Sequence, residues 1–94
     1  MIIFVITEPK LTDLLLKFKK VAEWNKVCPF LLEDDNGHKT REIEKNHKYV
    51  DDMRQEMLQQ FLNKANPTWG DVVSALRLAN YENLAREIED ELKK

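Results

Sequence analysis

Residues 67–92 read PTWGDVVSALRLANYENLAREIEDEL. The residue before a proline is pushed out of the α region, so a helix arriving from upstream closes at Asn66 and Pro67. Thr68 then acts as an N-cap, with Asp71 three positions on in a capping-box arrangement that also sets a carboxylate at the positive end of the helix dipole. Trp69, Val72, Val73, Leu76 and Ala79 follow at the three-to-four spacing of one buried helix face. Asn80 comes next, the non-glycine residue that best tolerates the left-handed conformation closing a helix. A last helix turns Tyr81, Leu84, Ala85, Ile88 and Leu92 inward. Neither helix can bury its stripe alone, so this hairpin needs further helices around it.

Upstream, the same periodicity supplies them. A first helix begins near Pro9, with Thr7 or Glu8 as cap, and carries Leu11, Leu14, Leu15, Phe18, Val21 and Ala22 on one stripe. Trp24, Val27, Cys28, Leu31 and Leu32 form a second stripe, in which Pro29 removes a backbone donor and predicts a short helix that bends or stops there. EDDNG at residues 33–37 is a run of turn formers with positive φ available at Gly37. KTREIEKNH, from Lys39 to His47, has Ile43 as its only large apolar residue and predicts a short, loosely anchored helix. Val50, Met53, Met57, Leu58, Phe61 and Leu62 mark the long central helix, with Asp51, Asp52, Arg54, Glu56, Gln59 and Gln60 on its polar face.

The whole chain has 94 residues with 43% hydrophobic and 34% charged side chains, which predicts one folded domain and excludes a disordered polyelectrolyte. Two glycines and three prolines are too few for the turns of an all-β fold, so the class is all-α, a helical bundle of six helices. Residues 1–8 are read as a tail or linker and 9–93 as the domain. A net charge of −2 gives no excess that attracts a phosphate backbone or an anionic membrane, so nucleic acid and membrane insertion are not expected. One cysteine allows no intrachain disulfide and suits a reducing compartment, so the expected location is cytoplasmic.

The stretch at 67–92 resembles the last two helices of the death-domain family, in which a Pro-Thr/Ser-Trp opening precedes a leucine-arginine pair, a turn, and a leucine-alanine pair ahead of isoleucine-glutamate. Those positions are Pro67, Thr68, Trp69, Leu76, Arg77, Leu84, Ala85, Ile88 and Glu89. MLQQFLNKANP, ending at Pro67, is similar to the family's fourth helix, IEKNH at 43–47 to the end of its third, and Trp24 to the tryptophan of its second. The sequence departs from the family at Cys28, Pro29 and Phe30, which replace a leucine-glycine-rich turn, at Thr40, where a core leucine is usual, and at Asn80, a common glycine position. The resemblance implies a death fold, a six-helix antiparallel Greek-key bundle. It also implies a non-enzymatic adaptor-type domain that oligomerises with other death domains, homotypically or heterotypically, in apoptotic or innate-immune signal transduction.

The remaining chemistry is sparse. Cys28, His38 and His47 are the only thiol and imidazole groups, and Cys28 lies in phase with an apolar stripe, where a cysteine behaves as a small hydrophobe. The histidines sit in polar stretches and read as solvated. No phosphate-binding glycine loop, HExxH or CxxC is present, so neither enzyme activity nor a cofactor or metal is expected. The informative pattern is charge. Residues 10–26 and 39–48 are net basic, while 33–35 and 82–91 are net acidic. Opposed patches suit head-to-tail contact between protomers. The death-domain resemblance places that contact at helix ends and interhelical loops, and the local charge supplies its sign. The candidate partner-binding residues are Arg41, Lys45, Lys48, Asp51, Asp52 and Glu82. The rival reading is a stand-alone helical regulator that takes an amphipathic peptide into a groove.

Overall fold

A computed structural model of the chain describes residues 8–34, 36–64 and 66–92. Among them are six helices and no strand: α1 (Leu11–Phe18), α2 (Trp24–Leu31), α3 (His38–Asn46), α4 (Val50–Leu62), α5 (Trp69–Leu78) and α6 (Glu82–Leu92). None is long and apolar enough to cross a membrane. α5 packs on α6 and α2, α1 on α4, and α2, α3 and α4 on one another. The radius of gyration of 12.6 Å is close to the value of about 12 Å for a single folded domain this long.

The C-terminal hairpin follows its sequence closely. The Thr68 hydroxyl accepts from the Asp71 N–H at 3.2 Å, and the Asp71 carboxylate accepts from the Thr68 N–H at 3.3 Å, completing the capping box. Asn80 has φ +69. Around it the Asn80 N–H donates to Arg77 and the Tyr81 N–H to Leu76 at 2.7 Å, the paired bonds of a Schellman closure. Trp69, Val72, Val73, Leu76, Ala79, Leu84, Ala85 and Ile88 are all buried.

Elsewhere the helix ends shift. α1 starts at Leu11, after Lys10 in extended conformation and with no side-chain cap. Pro9 and Leu14 are both buried at the two positions of a hydrophobic staple, which explains why the chain enters two residues later than proline chemistry alone suggests. Thr7 lies outside the described residues. α1 ends at Phe18, so Val21 reaches the core from the connection and Ala22 is exposed rather than on the buried stripe. α4 ends at Leu62, before Asn66 and Pro67. Val50, its first residue, is 48% exposed rather than buried, because it stands at the helix end beyond the core. Arg54 departs the other way. Its side chain is only 12% exposed, with Nε unpartnered and Nη1 reaching Asp51 at 3.3 Å.

α2 runs through Pro29 for two more residues. Interior proline costs about 3 kcal/mol, and burial of Leu31 and Leu32 beyond it offsets that cost. The helix closes with Glu33 at φ +54 and the Asp34 N–H donating to Pro29 at 2.9 Å. A glutamate held in left-handed backbone is strained, and among the described residues only an exposed ion pair to Lys64 at 3.1 Å engages its side chain. Glu33→Gly is therefore expected to stabilise the domain by about 0.5–1 kcal/mol in denaturant titration, the strain relieved exceeding both the lost pair and the added chain entropy.

Gly37 takes positive φ as its sequence context requires, and the turn before α3 caps that helix. The Asp34 carboxylate accepts from the Lys39 N–H at 2.5 Å and the Asn36 side-chain carbonyl from the His38 N–H at 3.0 Å. α3 buries only Thr40 and Ile43. Among the described residues the Thr40 hydroxyl, at the position where the resemblance leads one to expect leucine, has only the Cys28 thiol, a weak partner, as a polar neighbour.

Candidate interaction surface

The charge pattern resolves into pairs made at home and cations left over. Lys17 meets Glu91, and Lys20 holds both carboxylate oxygens of Glu87 at 2.8 and 3.0 Å, so the basic first helix is stapled to the acidic last one. The Lys20 hydrogen bond holds the Glu87 carboxyl below the usual carboxylate range. Arg77 binds Glu82 at 3.3 Å and also Glu89, while Arg86 approaches Glu82 at 3.8 Å. These contacts are exposed and each contributes no more than about 1 kcal/mol. Their consequence is that the N-terminal and C-terminal charge clusters cancel in part within the chain, with Lys10, Lys19 and Asp90 exposed and without an ion-pair partner among the described residues.

The stretch from Lys39 to Lys48 behaves differently. Lys39, Arg41, Lys45 and Lys48 are exposed, and none has a carboxylate partner among the described residues. Among the described residues Arg41 donates only to the backbone carbonyl of Asn36, at 3.2 Å. Arg41, Lys45, His38 and Glu42 line a shallow recess along α3. Lys48 Nζ stands 5.7 Å from the centre of the Tyr49 ring. Asp51 and Asp52 follow at the start of α4, Asp51 nearly fully exposed beside Arg54 and Asp52 exposed. Five of the six candidate residues thus lie along α3, the turn after it and the beginning of α4: Arg41 and Lys45 on the helix, Lys48 on the turn, Asp51 and Asp52 on α4. Glu82 stands apart at the α5–α6 turn, already held by two arginines.

His47 is half-buried rather than solvated. Its Nε2 lies 3.3 Å from Glu56 Oε1, which ties the α3–α4 turn back to α4. His38 is exposed, 3.7 Å from Glu42. Cys28 is fully buried, and burial pushes its thiol up. A protonated thiol is a poor nucleophile. Among the described residues no group of three or more His, Cys, Asp or Glu is disposed to hold a metal ion.

The sequence does not single out two apolar features of the surface. Tyr49 and Val50 are 63% and 48% exposed on the α3–α4 turn, beside Lys48. Between α1, the start of α5 and the end of α6 lies a cleft of about 340 Å³ with Leu16, Trp69, Ile88 and Leu92 in its lining and Asp13 and Glu91 among its polar residues. Helical phase places Trp69 and Ile88 in the core, and only the packing of three non-consecutive helices reveals that they also face a cleft.

No protein-family model matches the chain, and no curated protein and no solved structure matches it.

Proposed function

We propose that this chain is a protein–protein interaction domain of the death-domain type, a Greek-key six-helix bundle without enzymatic activity that assembles with other death domains in cytoplasmic signalling. The observation that carries the reading is the basic run Lys39, Arg41, Lys45 and Lys48, exposed and without a carboxylate partner among the described residues, on a bundle whose N-terminal and C-terminal charge clusters are in part paired internally. Lys45, in the last turn of α3, suits the negative end of the helix dipole, and an acidic partner surface gives all four exposed cations a counter-charge. The resemblance at residues 67–92 supplies the class of partner, and the capping box and Asn80 closure support it by fulfilling the local geometry those positions call for.

The test is sedimentation of the parent and of the Lys45→Glu, Lys48→Glu double variant at low and physiological salt, with circular dichroism as a check on the fold. Association that is salt-sensitive and weakened about tenfold or more by the two reversals is the expected result, since exposed pairs contribute up to about 1 kcal/mol each and screening acts over about 8 Å. Association indifferent to both changes would remove the basic run from the mechanism. The cleft at α1, α5 and α6 favours the rival, a regulator of amphipathic peptides, and a strictly monomeric chain that binds such a peptide would establish it.

A further inference from the structure

We infer that the chain associates head to tail by inserting the α3–α4 turn of one copy into the α1–α5–α6 cleft of the next. This inference rests on the assembly reading above and assigns the second surface that reading lacks.

The donor surface is a fixed protrusion. His47 and Tyr49 are both extended, with φ −129, ψ 148 and φ −107, ψ 143. The turn is anchored at both ends, by the contact between His47 and Glu56 and by the Tyr49 carbonyl accepting from the Met53 N–H at 3.1 Å as the first acceptor of α4. It presents an exposed aromatic ring next to an exposed valine, with Lys48 alongside and Lys45 one turn back. Tyrosine held on a rigid element and flanked by cations is the residue type that dominates interface energetics.

The acceptor surface has the complementary character. Its apolar lining is Leu16, which is 59% exposed, with Trp69, Ile88 and Leu92. Its size decides what fits: an apolar cavity of about 150 Å³ holds a benzene, so about 340 Å³ admits a tyrosine ring with part of a neighbouring side chain. Its charge decides which flanks fit. Asp13 is exposed with no basic partner among the described residues, and Glu91 is held by Lys17, which also lines the cleft, so the unmatched charge of the described lining is negative. Lysine beside the ring on one copy therefore meets aspartate beside the cleft on the other. Protrusion and cleft belong to different helices and share no residue, so a contact between them is heterologous and the pair keeps one free turn and one free cleft.

A charge exchange tests the contact on the full chain. In sedimentation velocity over a concentration series the parent is expected to form species larger than a monomer. Tyr49→Ala, at an exposed position, should weaken that association at least about thirtyfold, the usual loss for a central aromatic anchor. Lys48→Asp alone and Asp13→Lys alone should each weaken it, because each then sets like charges across the contact. An equimolar mixture of the two should associate again, since the altered turn of the first variant matches the altered cleft of the second, and the unaltered turn of the second matches the unaltered cleft of the first. A general loss of stability cannot produce that recovery. If the parent associates, Tyr49→Ala matches it and the mixture behaves like its separate components, the contact is wrong while the assembly reading stands. If the parent is a monomer at every concentration, self-docking falls. Binding of an amphipathic helical peptide with a change in tryptophan fluorescence would then give the cleft to that peptide.

Discussion

Trp69→Ala is expected to lower the stability of the domain by about 3 kcal/mol, the low end of the range for emptying a buried aromatic site. Trp69 is 6% exposed and stands in the first turn of α5, where its indole packs in the core and also borders the cleft. A truncation that leaves a sealed void costs most, because the lining atoms lose contacts that nothing replaces. Here the space opened joins a cleft that reaches solvent, so water enters and part of the penalty is relieved. A domain of this length holds roughly 5–15 kcal/mol in total, so the variant should still fold. Its melting temperature should fall by at least about 12 °C, at about 4 °C or more per kcal/mol. A drop of a degree or two would place the indole outside the core.

That prediction rests on the part of the chain most legible in its sequence. From Pro67 to Leu92 every local signal agrees: the cap, the three-to-four stripe and the left-handed asparagine all specify the same hairpin, and the structure contains each of them. Agreement across levels is what allows a segment to be read. Where local signals compete, helix boundaries move. Pro9 carries a start signal, yet burial of Pro9 and Leu14 sets the entry of α1. Pro29 carries a stop signal, yet burial of Leu31 and Leu32 draws α2 past it. The left-handed Glu33 has no sequence signal at all, because glutamate is not a residue selected for that backbone.

Charge is legible as sign and illegible as pairing. The lysines of 10–26 and the acids of 82–91 read as two opposed patches available to partners, but α1 and α6 lie close enough for Lys17 and Lys20 to neutralise Glu91 and Glu87. No periodicity encodes which helix ends meet. The basic run of 39–48 keeps its external character because, among the described residues, Lys39, Arg41, Lys45 and Lys48 form no ion pair with the neighbouring Glu42, Glu44, Asp51 or Asp52. The exposure of Tyr49 and Val50 was equally hidden, since helical phase assigns Val50 to the buried face and only the position of the α4 terminus beyond the core removes it.

Ile43→Ala tests whether that basic surface depends on a single anchor. The substitution should cost about 2–5 kcal/mol, as usual for a fully buried isoleucine. Its distribution matters more than its size. α3 has nine residues, too few for a helix to persist in water without tertiary contacts. Its sequence buries only Ile43 and Thr40, and among the described residues the Thr40 hydroxyl has only the weakly bonding Cys28 thiol beside it. The caps from Asp34 and Asn36 hold its first turn, but they fix the end of the helix without docking its face. Removal of the Ile43 side chain should therefore open α3 at a free energy well below that of global unfolding. In hydrogen exchange, amides of residues 38–46 should lose protection while those of α5, anchored by Trp69, Val72, Val73, Ala75 and Leu76, keep most of theirs. Equal loss across both helices would show that α3 unfolds only with the whole bundle. If the loss is local, association should weaken in the same variant even though Ile43 touches no partner, because Arg41 and Lys45 hold their positions only while α3 remains helical.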